Sequence, residues 1–92
     1  MGKEDFIIHL DHVYGLVEEE RQKCRTGNGS YEEKHLEFIL KELKIMRLKC
    51  GSRGFYTYYP RGISDSWDYD DPLGNELMEL AGEYQHLGIE GQ

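Results

Sequence analysis

The most metal-like cluster in the chain is His9-Leu10-Asp11-His12. On a helix, Asp5, His9 and His12 project along one face, followed by Glu19. Imidazoles beside a carboxylate are a donor set that suits zinc or another divalent ion. Zinc helices usually space their His pair by four residues, and no closing ligand from another segment is evident, so neither a metal nor another cofactor is expected. The two thiols, Cys24 and Cys50, fall on apolar helix faces, where a thiol is inert rather than nucleophilic. Ser30, Ser52, Ser64 and Ser66 lie in no elbow or triad setting. Gly27-Asn28-Gly29 and Gly51-Ser52-Arg53-Gly54 match neither a phosphate-binding loop nor a dinucleotide fingerprint. No residue is assigned a catalytic role, and the chain is expected not to be an enzyme.

Carboxylates on facing helices offer a different chemistry, magnesium-assisted hydrolysis of a phosphate ester. The candidates are Glu33 and Glu37 in the middle of the chain and Glu76, Glu79 and Glu83 near its end. The spacing Glu76-x-x-Glu79 resembles the pairs that helical nucleotide pyrophosphohydrolases turn inward around their ion. That resemblance implies a metal-dependent nucleotide phosphohydrolase, the third functional reading. A second Glu-x-x-Glu or Glu-x-x-Asp pair on an inward face is missing from this sequence, and no family is assigned.

The charge is strongly segregated. Residues 1–20 hold six acids and one base, residues 21–61 ten bases and four acids, and residues 62–92 eight acids and no base, for a net charge of −7. In the basic middle, Lys41, Lys44, Arg47, Lys49, Arg53 and Arg61 surround Phe55, Tyr56, Tyr58 and Tyr59. Cations for phosphates with rings for base stacking are what a single-stranded nucleic-acid binder needs. This is the alternative reading, with Lys44, Arg47, Lys49, Arg53, Tyr56, Tyr58 and Arg61 as its contacts. The acidic flanks oppose the approach of a polyanion.

The acidic end supports the favoured reading. Asp65, Asp68, Asp70 and Asp71 are spaced along an exposed loop holding Trp67 and Tyr69, and the Glu76, Glu79 and Glu83 stripe follows. Acids punctuated by aromatic residues suit docking on a basic groove of another protein, where charge steers the encounter and rings anchor it. Small acidic proteins of mobile elements and phages that inhibit nucleic-acid enzymes are similar in charge and size. The expected function is therefore a non-enzymatic protein that binds, and inhibits or regulates, a partner with a basic surface.

Three helices must position these residues. Phe6, Leu10, Val13, Val17 and Cys24 recur at helical spacing and predict a first helix from Asp5 to Cys24, closed by Gly27 as a left-handed cap. Ser30-Tyr31-Glu32-Glu33 reads as a capping box for a second helix running to about residue 48. Leu36, Ile39, Leu40, Leu43, Met46 and Cys50 form its core face. Phe38, Ile45 and Leu48 form a second apolar face, which suggests a homodimer. The rival reading makes Met46, Leu48 and Cys50 a strand ending in a Gly51–Gly54 turn. Phe55 to Tyr59, aromatic, β-branched and bounded by Gly54 and Pro60, is the best strand candidate. Pro60 to Asp71 reads as a loop. Asp71 then caps a third helix, with Pro72 at its first position and Leu73, Leu77, Leu80, Tyr84 and Leu87 as its core stripe. The expected fold is α+β and mostly helical: an α-helical hairpin, a short β element and a C-terminal helix in one domain, 1–92.

Length and composition bound the rest. Ninety-two residues, 38% hydrophobic and 32% charged, suit one small globular core. No stretch is long and apolar enough for a membrane span, the N-terminus lacks a signal-peptide pattern, and the cytoplasm is expected. A hairpin of helices about 30 Å long would hold Cys24 and Cys50 at opposite ends. That is well beyond the ~7 Å between Cα atoms that a disulfide spans, so both thiols are expected to be free.

Overall fold

A computed structural model describes residues 3–27, 29, 31–49 and 57–90, with side chains between 4 and 86. The described residues form four helices: α1 (Lys3–Arg25), α2 (Glu33–Lys49), α3 (Tyr59–Ser66) and α4 (Pro72–Glu90). Helix α1 packs on α2 and α4, and the short α3 bridges α2 and α4. The three apolar stripes meet in one core. Phe6, Leu10, Val13 and Val17 face Leu36, Ile39, Leu40, Leu43 and Met46, with Leu73, Leu77, Leu80, Ala81 and Tyr84 closing the third side. Four-residue and three-residue steps put each set on one side of its helix, so burying one stripe buries the next. The second apolar face of α2 stays outside: Phe38 is 44% exposed and Leu48 85%.

The ends of α1 and α4 follow local chemistry. Gly27 has φ +84°, a left-handed conformation that favours glycine and stops α1. At α4, the Asp71 carboxylate accepts the Gly74 amide at 2.9 Å, and Pro72 supplies the fixed φ of a first helical residue. Helix α2 begins at Glu33, and the Leu36 amide donates to the Glu32 carbonyl at 3.1 Å. Ser30, proposed above as its cap, lies outside the described residues, as do Cys50 and the Gly51–Gly54 turn. The Leu87 side chain does too.

The expected α+β class is incorrect: the fold is all-α among the described residues, and no β element appears there. Phe55 and Tyr56 fall outside the described residues, and Thr57, Tyr58 and Tyr59 form no strand ladder with any described residue. Thr57 and Tyr58 form a short connection, and Tyr59 opens α3. The reason is a buried carboxylate. Glu42, 4% exposed on the core side of α2, accepts the Tyr59 amide at 2.7 Å. It also accepts the Tyr58 amide at 2.8 Å and the Thr57 hydroxyl at 2.8 Å. Amides that a strand would offer to a neighbouring ladder are thus satisfied by one side chain. They are also the first amides of a helix, where the backbone dipole favours an anion. Pro60 then continues the helix, Ile63 is buried one turn on, and the Tyr59 hydroxyl donates to the Leu77 carbonyl of α4 at 2.7 Å. The segment 60–71, expected as a loop, is helical over its first half for the same reasons. The rival strand at 46–49 is also excluded, since α2 continues through Lys49.

Candidate functional site

Trp67 closes α3 by accepting an extended conformation and returning its amide to the Ile63 carbonyl at 2.9 Å. That turn swings the indole back over α2 instead of outward. Its ring lies 4.5 Å from that of Tyr31, tilted by 34°, and meets the His35 imidazole edge-on at 5.6 Å. The indole N–H donates to His35 Nδ1 at 3.1 Å. An indole nitrogen can only donate, so Nδ1 is the accepting nitrogen of that ring. Two glycines leave room for this packing. A Cβ on Gly74 would sit 3.1 Å from the indole Cε3, and one on Gly62 would sit 2.8 Å from His35 Nε2.

Asp71 holds the same corner together. Its carboxylate accepts the Tyr31 hydroxyl at 2.9 Å while capping α4. The Cys24 thiol in turn donates to the Tyr31 carbonyl at 3.0 Å, tying the end of α1 to the corner. Burial raises the Tyr31 phenol well above its ordinary pKa, helped by the bond to Asp71 and by the charges of Asp71, Glu20 and Asp68. The corner therefore sits in a negative field.

Two open clefts flank Trp67. One, about 420 Å³, is lined by Tyr31, Glu32, His35, Ser66, Trp67, Asp68 and Asp71. It combines three rings with three carboxylates and has no Lys or Arg in its wall among the described residues. The other, about 310 Å³, runs between α3 and α4 over Ile63, Trp67, Gly74 and Met78, with Asp68 and Tyr69 at its edge. Met78 is 41% exposed and Tyr69 99%, so a large apolar side chain and a whole phenol project beside it.

The residues expected to meet a partner divide into two groups. Asp65, Asp68, Tyr69, Asp70 and Glu79 are exposed, while Trp67 and Asp71 are half-buried parts of the corner. Glu76 and Glu83 are turned elsewhere. His9 on α1 donates from Nε2 to Glu76 at 2.7 Å and from Nδ1 to Glu83 at 2.9 Å, bridging α1 to α4. Burial lowers the His9 pKa, but the hydrogen bonds and charges of the two glutamates outweigh it and raise it above the usual imidazole value. His9 therefore faces glutamates of α4, while Asp5 and His12 are exposed. No group of three or more His, Cys, Asp or Glu placed to hold a metal ion occurs among the described residues.

Of the alternative nucleic-acid set, Lys44, Lys49, Tyr58 and Arg61 are exposed. Arg47 pairs with Asp11 at 2.9 Å, and Arg53 and Tyr56 lie outside the described residues. The residues that sequence reasoning missed are Tyr31, His35 and Glu42. Each had a signal. Tyr31 and His35 are aromatic-type rings four residues apart in sequence, and Glu42 is an acid lodged within the apolar stripe that runs from Ile39 to Met46.

No protein-family profile matches the chain, and no curated protein or solved structure is significantly similar to it. Among the described residues, no helix is long and apolar enough to cross a membrane.

Proposed function

We propose that this chain is a non-enzymatic cytoplasmic binding protein that docks on the basic surface of a macromolecular partner and thereby inhibits or regulates it. The observation that carries this reading is the combination at the α3–α4 face. Tyr69 and Met78 stand exposed beside an apolar cleft, and Asp65, Asp68, Asp70 and Glu79 are exposed on the same two helices and their connection. Tyr, Trp and Met are enriched at the centres of protein interfaces, with charge at the rim. Glu76 and Glu83, which hold His9, and Asp71, which caps α4, serve the fold. The docking acids are thus the four exposed ones.

The test is a capture experiment with the full chain as bait. Wild type is compared with a Tyr69→Ala, Asp65→Asn, Asp68→Asn, Asp70→Asn variant, whose substitutions touch no core contact. The reading expects a discrete partner that the wild type retains at low salt and loses as salt rises, and that the variant fails to retain. A partner captured equally by both overturns the placement on this face.

The second reading, single-stranded nucleic-acid binding, draws support from Tyr58, 63% exposed, and the exposed Lys44, Lys49 and Arg61. It expects a salt-dependent mobility shift with single-stranded DNA or RNA that a Lys44→Glu, Lys49→Glu variant loses.

A further inference from the structure

We infer that the cleft between the start of α2 and the end of α3 is a pocket for an arginine side chain of the partner. This deepens the docking reading and rests on it. The argument starts from what the cleft can and cannot hold. Its wall contains the Tyr31, His35 and Trp67 rings and the carboxylates of Glu32, Asp68 and Asp71, with no Lys or Arg among the described residues. Rings with a negative face beside carboxylates attract a cation and repel an anion. A phosphate or a carboxylate is therefore excluded as the ligand.

Geometry chooses among cations. A quaternary ammonium is held between rings that stand apart, each centroid within about 6 Å of the charge. The Tyr31 and Trp67 centroids are 4.5 Å from each other, in mutual contact, so nothing fits between them. Stacked on each other with a tilt of 34°, the two rings offer an outer face and not a slot. A flat guanidinium can lie against such a face and still direct N–H groups sideways. A compact, strongly hydrated ammonium makes less use of it.

The carboxylates divide in the same way. Asp71 is occupied by the Tyr31 hydroxyl and the Gly74 amide, and it fixes the Tyr31 ring. Glu32 and Asp68 are exposed at the mouth, one from each side of the cleft, and they are the acceptors a forked donor would reach. A cleft of about 420 Å³ has room for one side chain of this size with its solvent.

Trp67 is the one tryptophan of the chain, so its emission, excited beyond tyrosine absorption, reads the cleft directly. The probe is a blocked Gly-Arg-Gly peptide, titrated at constant ionic strength. The expected result is a saturable change in Trp67 emission. The citrulline peptide, equal in shape but uncharged, produces none, and the lysine peptide binds more weakly. Asp68→Asn and Glu32→Gln each weaken the arginine peptide roughly fivefold, the loss of one charge-assisted contact, with the melting temperature unchanged. Equal responses to arginine and citrulline, or tighter binding of tetramethylammonium than of arginine, overturn the assignment. So does an affinity that neither substitution alters. If the peptide leaves Trp67 unaffected while capture of a partner still depends on Tyr69, Asp65 and Asp70, the pocket is wrong and the docking face stands. If both fail, the docking reading falls with it.

Discussion

Replacing Glu42 by alanine should cost this protein more than any other single acidic residue. Its carboxylate is buried, has no cation beside it among the described residues and receives three donors: the Thr57 hydroxyl and the Tyr58 and Tyr59 amides, at 2.7 to 2.8 Å. A hydrogen bond to a charged group contributes about 1.5–3 kcal/mol. The three share one acceptor and do not add in full, and the amide of exposed Tyr58 can turn to water. Tyr59 and Thr57 are buried, at 0% and 2% exposure, and keep the whole penalty. The expected loss is about 3–5 kcal/mol, a large part of the ~5–10 kcal/mol that a domain of this size holds. Glu42→Gln retains the shape and one carbonyl oxygen and should cost about 1–2 kcal/mol. Thr57→Val removes a single donor and should cost about 1 kcal/mol, coupled to Glu42 in a double-mutant cycle. Urea unfolding followed by Trp67 emission and circular dichroism gives all four values. A Glu42→Ala loss within 1 kcal/mol of zero, or no coupling to Thr57, would refute the claim that this side chain starts α3 and cancels the strand.

The other expectations concern the bridge between α1 and α4, the indole corner and the second face of α2. The folded pKa of His9 is raised, so its contribution is complete below the unfolded value of about 6.5 and is lost as pH rises through the folded value. The melting temperature should fall over that range, and His9→Gln should flatten that slope; an unchanged profile contradicts the bridge. Trp67→Ala should lower stability by about 2–3 kcal/mol, since it strips the ring from Tyr31 and the core, whereas Tyr69→Ala should leave stability within about 0.5 kcal/mol. Equal losses on the same urea curves would mean the two rings are not placed as described. If the stripe of exposed Phe38 and Leu48 and half-buried Ile45 joins two copies, sedimentation should show a dimer that Leu48→Glu converts to monomer; a wild-type monomer at high concentration removes that partner.

The core was legible because periodicity reports burial directly. Phe6, Leu10, Val13 and Val17 on α1, and Leu36, Ile39, Leu40, Leu43 and Met46 on α2, lie where their spacing puts them. The Asp71 cap was legible because Asp-Pro before an apolar stripe has few other uses. Segment 57–66 was misread for a physical reason. Aromatic and β-branched residues favour a strand locally, and the Glu42 carboxylate that overrides them is 15 to 17 positions away in sequence. The Tyr59, Ile63, Trp67 period of four was present but short. Trp67 was misplaced similarly, because its acidic neighbours suggest exposure while its partners, Tyr31 and His35, lie just before and within another helix. The acidic stripe on α4 was legible as a stripe, but its division between His9 and solvent depends on the rotation of α1 against α4, which spacing within one helix cannot supply.

The account depends most on the exposed acids and Tyr69 forming the docking face, and association kinetics with the captured partner test that directly. Surface-immobilised full-length chain, wild type and Asp65→Asn, Asp68→Asn, Asp70→Asn, should differ chiefly in association rate, roughly tenfold at low salt. The gap should close as ionic strength rises toward about 1 M. Tyr69→Ala should instead speed dissociation. Identical association rates for wild type and the neutralised variant at low salt would contradict the account.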